Sequence, residues 1–128
     1  VKLTHRKHED RTVDEIEALA ARIDVDPDVD ALRLAIADLA GRMIAERRDA
    51  LGYWEKQSFA QALASLAWNV GGGHRDSTAW LRLSLVALQT VLVPVDRRSE
   101  GYAPRIAAIE RLTPEQLLAD VRALGGRV

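Results

Sequence analysis

The chain has 128 residues, 48% of them hydrophobic and 29% charged, which fits one ordinary globular domain and excludes a disordered polymer. A formal net charge of −1 argues against a dedicated nucleic-acid binder, whose affinity rests on neutralising phosphates. Cysteine is absent, so disulfides, thiolate metal sites and cysteine nucleophiles are excluded, and a cytoplasmic setting is compatible. Arginine outnumbers lysine among abundant alanine and leucine, a composition expected of a bacterial protein from a GC-rich genome.

Residues 1–11, "VKLTHRKHEDR", are polar, carry no signal-peptide pattern and show no apolar period, so a loose charged arm is expected there. Residues 12–128 read as a single helical domain. Thr12-Val13-Asp14-Glu15 has the form of a capping box, and Ile16, Leu19 and Ile23 follow at helical spacing. In "DVDPDVD", Asp26 is placed to cap a second helix and Pro27 to occupy its first position, where a missing N–H costs nothing. Val29, Leu32, Ile36, Leu39 and Met43 then recur at steps of three and four, one stripe on a helix running to about Asp49. Gly41 lies inside it, at a cost of ~1 kcal/mol relative to alanine.

After Gly52 a third helix is expected from about Trp54 to Val70, with Phe59, Leu63, Leu66 and Val70 on one face and Gly71 closing it. A fourth, capped by Asp76 or Ser77, reaches about Val93. Its apolar residues surround most of the circumference and leave a narrow polar line of Arg82 and Gln89, the pattern of a central helix. Its apolar run to Val95 is broken by Arg82, Ser84, Gln89, Thr90 and Pro94, unlike a membrane span. A short fifth helix holds Ile106, Ile109 and Leu112. Thr113-Pro114-Glu115-Gln116 starts a sixth, which carries Leu117, Leu118, Val121 and Leu124 and ends at Gly125-Gly126. No segment alternates with a period of two for long enough to make a strand. The expected fold is all-α: a compact single-domain bundle of five or six short-to-medium helices. Leu63, Leu66, Ala67, Val70, Ala79, Leu83 and Val86 fall roughly where a tetratricopeptide hairpin places its packing residues. No second copy stands at the expected period, so the chain is not read as a repeat array.

Five features bear on function. Gly71-Gly72-Gly73 precedes a helix, and its N–H groups, with His74 and Arg75, would suit an anion. The glycines follow a helix rather than a strand, however, and no Gly-Lys-Ser or Gly-Lys-Thr accompanies them, so a plain helix–helix turn is the favoured reading. The aspartates at 24, 26, 28 and 30 alternate like calcium ligands, but Val29 and Ala35 stand where such a loop needs glycine and glutamate, and capping is preferred. His5 and His8 lie in the charged arm, and no metal, cofactor or catalytic residue is assigned. Arg42, Arg47 and Arg48, with Arg97 and Arg98, read as solvated surface unless they converge.

The tryptophans give the strongest lead. Projected on a helix, Trp54, Gln57, Gln61 and Trp68 fall on one side, two rings flanking a floor of small and amide side chains that would accept a helix or a flat ligand. The alternative is that this side packs inside the bundle, with Trp68 and Trp80 meeting near the turn. The expected function is a protein-interaction module or self-associating protein without catalysis. The rival is a small-molecule binder, anion binder or small enzyme, with a site between helices near the glycine turn. That site would be lined by Trp68, Trp80 and Tyr102, with His74 and Arg75 at its mouth.

Overall fold

The computed structural model describes residues 2–25, 28–70, 77–93 and 105–128. The described residues form an all-α bundle: α1 (Lys2–Val25), α2 (Val29–Glu46), α3 (Tyr53–Ala67), α4 (Ser77–Val91), α5 (Ala107–Glu110) and α6 (Pro114–Ala123). A 3₁₀ turn, Arg48–Ala50, joins α2 to α3.

The helix α1 begins ten residues before the expected capping box. The backbone of residues 2–11 is helical, and Thr12 lies buried within the helix rather than at its start. No glycine or proline interrupts Lys2–Val25, and the first eleven residues carry two lysines and two arginines, which are good helix formers, so propensity allows a helix where polarity suggests a loop. The second cap also differs. Asp28, not Asp26, closes the start of α2, its Oδ1 accepting the Ala31 N–H at 3.1 Å. Residues 26 and 27 lie outside the described residues, as do the expected caps at Gly71 and Asp76.

The centre of the bundle is α2. Its predicted stripe is buried at Leu32, Ile36, Leu39 and Met43, and Ala37, Ala40, Gly41 and Ile44 widen it into a broad inner surface. It packs against α1, α3, α4 and α6. From α3 come Phe59, Leu63 and Leu66; from α4, Leu81, Leu85 and Leu88; from α6, Leu117, Leu118 and Val121. The fourth helix, expected at the centre, is instead peripheral. One arc of it meets α1, α2 and α3, while Leu83 and Val86 on the opposite arc face outward. Val70, expected to be buried, is exposed because α3 ends at Ala67.

The C-terminal end is tied down by backbone geometry. Gly126 N–H bonds the Val121 carbonyl and Gly125 N–H the Arg122 carbonyl, both at 2.9 Å, and Gly125 has φ of +90°. This is a Schellman closure, which needs a residue at ease with positive φ. Arg33 of α2 donates to the Leu124 carbonyl at 2.6 Å, and Asp38 accepts the Arg127 N–H at 2.6 Å. One carbonyl at the end of α6 and one amide of the residues that follow it are thereby satisfied from α2.

Candidate docking face

Two tryptophans from consecutive helices meet where α3 ends and α4 begins. The rings of Trp68 and Trp80 stack with centroids 5.4 Å apart and planes 13° from parallel. The stack does not enter the core: Trp68 is 53% exposed and Trp80 is half-buried. Trp68 follows the last turn of α3, held by its N–H bond to the Ala64 carbonyl, and the next residue turns inward. Asn69 is 97% buried, since only 3% remains exposed, and among the described residues neither its side-chain oxygen nor its nitrogen has a hydrogen-bond partner. The chain thus reverses from an outward ring to a buried amide within one residue.

Along α4 the exposed apolar surface continues. Leu83 stands one turn beyond Trp80 and is 47% exposed; Val86, one turn further, is 58% exposed. Ala79 is exposed, Thr90 half-buried, and Val93 lies just past the end of the helix, exposed. The Thr90 hydroxyl donates to the Val86 carbonyl at 2.8 Å, so its polar group is already satisfied within the helix. At one border Arg82 pairs with Asp24 of α1. On the buried side Ser84 donates to the Leu81 carbonyl at 2.6 Å, which lets a hydroxyl sit inside without an orphaned group. Among Trp68, Trp80, Leu83, Val86 and Val93 there is no acid, base or nucleophile. What the face offers is apolar area.

The side of α3 singled out in the sequence divides. Trp54 is half-buried against Tyr53, edge to face at 5.0 Å, with its indole N–H buried and without a hydrogen-bond partner among the described residues. Ser58 and Ser65 are buried, and Ser65 donates to the Gln61 carbonyl at 2.9 Å. Gln57 is half-buried, whereas Gln61 and Trp68 are exposed. Trp54 and Trp68 therefore do not flank one open floor. His74, Arg75 and Tyr102, and with them Gly71–Gly73, lie outside the described residues. Leu83 and Val86 read in the sequence as packing positions rather than as a surface, and Val93 as the end of an all-round apolar helix.

Two other concavities exist among the described residues. A shallow groove of about 380 Å³ between α3 and α6 is lined by Ala60, Leu63, Ala64, Leu117 and Ala123, with Asp120 at its edge. A cleft of about 300 Å³ between α1 and α2 carries Arg11, Glu15, Arg42 and Glu46. Its charges answer one another: Arg42 donates to Glu15 at 2.9 Å, and this hydrogen bond raises the guanidinium pKa against the opposing effect of partial burial. The other arginines of the expected cluster are also spent on acids. Arg47 lies 3.8 Å from Glu46 and 3.9 Å from Glu55, and Arg48 lies 3.7 Å from Glu115. Of the alternating aspartates, Asp28 caps α2, Asp24 holds Arg82 and Asp30 lies 3.6 Å from Arg33. Arg97 and Arg98 are outside the described residues. No helix among the described residues is long and apolar enough to cross a membrane.

Compared with known protein families, characterised proteins and solved structures, the chain matches none.

Proposed function

We propose that this protein is a helical interaction module without catalytic activity, and that it docks its partner on the outer side of the α3–α4 hairpin. The observation that carries this reading is the Trp68–Trp80 stack left half open to water, continued by Leu83 and Val86. Apolar surface in water costs on the order of 25 cal/mol per Å², so a contiguous patch of this kind is a standing incentive to associate. Aromatic rings lose few rotamers on binding and are the usual anchors of interfaces. A rim of polar groups is present at Arg82 and Gln89. The composition, rich in arginine and free of cysteine, supports the bacterial cytoplasm as the setting.

The experiment is capture from the native host with wild-type chain, Trp68→Ala and Val86→Glu as baits. The proposal expects Val86→Glu to melt like wild type, Trp68→Ala to stay folded with the small loss of about 1 kcal/mol that its broken stack costs, and both to lose at least about tenfold of the captured partner. Variants that hold the partner as well as wild type would remove the face from the interaction.

The α3–α6 groove supports a second reading, in which a small apolar molecule occupies its roughly 380 Å³. A ligand that raises the melting temperature of wild type, and fails to do so for Ala64→Phe, would favour it. Loss of the thermal shift in Val86→Glu instead would return the ligand to the α4 face.

A further inference from the structure

We infer that the occupant of this face is a second copy of this chain, α4 lying against its own copy across a two-fold axis. The inference rests on the reading of the face as a docking surface and names its partner.

The first argument is spacing. Along α4, Ala79, Leu83, Val86 and Thr90 follow one another by four, three and four residues, the repeat of a coiled-coil seam, and Val93 stands three residues on, just past the end of the helix. The helix already has a different seam, Leu81, Leu85 and Leu88, which packs into the bundle. An amphipathic helix needs only one. The second is uncharged at all five positions, and its one hydroxyl is bonded within the helix. Its spacing fits another helix, and its copy has that same spacing.

The second argument is charge. A seam that contains no charge does not repel its copy, and the adjacent Arg82 is offset by Asp24. The net charge of −1 adds little repulsion between whole molecules. A partner of opposite charge would gain nothing from this surface.

The third argument is area. The exposed parts of Trp68, Trp80, Leu83, Val86, Val93 and their small neighbours amount to roughly 500 Å² per chain, so a symmetric pair hides at most about twice that, the lower edge of specific interfaces. This size corresponds to a reversible dimer rather than a permanent one. A two-fold arrangement also covers each seam with the other and leaves neither open to further growth. Val86 is the middle of the five positions, so it lies nearest the axis of an antiparallel pair and faces its own copy in a parallel one.

The test uses the full chain. Sedimentation velocity from about 1 to about 200 μM is expected to show a reversible rise from the 14.1 kDa monomer towards twice that mass. Val86→Glu is expected to remain monomeric throughout, with a melting curve unchanged at concentrations where the wild type is itself monomeric, because the side chain is exposed. The chain has no cysteine, so a single one reports without background. Val86→Cys is expected to oxidise to a covalent dimer at least about tenfold faster than Gln89→Cys, which lies off the seam. A wild type that stays monomeric at the highest concentration overturns the inference, as does a dimer that Val86→Glu leaves intact or a Val86→Cys no faster than Gln89→Cys. If the wild type is monomeric and Val86→Glu still loses a captured host protein, self-pairing is refuted while the docking reading stands.

Discussion

A methyl group added at Gly126 would sit 2.5 Å from Cγ1 of Val121 and 3.1 Å from both the Val121 carbonyl oxygen and Cβ of Ala37. Two of those neighbours cannot swing aside, since one is backbone and the other is the first atom of a short side chain on α2. Gly126→Ala is therefore expected to lower stability by about 1–3 kcal/mol in urea denaturation, the usual cost of overpacking. Gly41 shows the same economy from the other side: its missing side chain admits Val121, at 3.1 Å from where a Cβ would stand, and Val128. The cost of a glycine within a helix was readable in the sequence, whereas the close approach of α6 that requires it was not. The cap of α6 was fully readable. Thr113 accepts the Gln116 N–H at 3.2 Å, and the Gln116 amide oxygen accepts the Thr113 N–H at 2.8 Å. Thr113→Ala is expected to cost about 1 kcal/mol, measured by the same denaturation. In "DVDPDVD" four aspartates alternate and any could cap. Only the path of the chain selects Asp28, whose carboxylate reaches Ala31.

Among the elements, α4 separates what periodicity can tell from what it cannot. A helix apolar all round is compatible with complete burial or with one buried and one open arc, and the choice depends on how many neighbours surround it. Neighbours α1, α2 and α3 cover Leu81, Leu85 and Leu88 and leave Leu83 and Val86 in water. The candidate face was legible only at Trp68 and Trp80, where aromatic residues flank a turn. Its aliphatic half was hidden among core residues, although the four-three spacing from Ala79 to Val93 was there to be read. This asymmetry predicts unequal costs for the same substitution. Leu88→Ala is expected to destabilise by about 2–5 kcal/mol and Leu83→Ala by less than about 1 kcal/mol, compared as chemical-denaturation midpoints at concentrations where the chain is monomeric. Equal losses would mean that both arcs of α4 are buried. For α1, a polar start without glycine or proline is open to helix or loop on propensity alone, and the helix runs through it to Val25.

For the whole molecule, the helical class, the order of the helices and the stripe on α2 were legible, since each follows from local spacing and caps. Which helix lies at the centre was not, because that depends on long-range packing between segments that the sequence does not order in space. Small residues decided it: Ala37, Ala40 and Gly41 let other helices approach α2 closely and place it in the middle. With α2 central, α4 lies at the edge and its second seam is left open. The most direct test of this arrangement is solvent paramagnetic relaxation of methyl groups by a soluble gadolinium chelate. In dilute protein, the methyls of Leu83 and Val86 are expected to broaden while those of Leu81, Leu85 and Leu88 stay sharp. On concentrating the chain or adding its captured partner, Leu83 and Val86 are expected to become protected. Methyls of Leu83 and Val86 as protected at dilution as those of Leu88, or unprotected under every condition, would contradict the account.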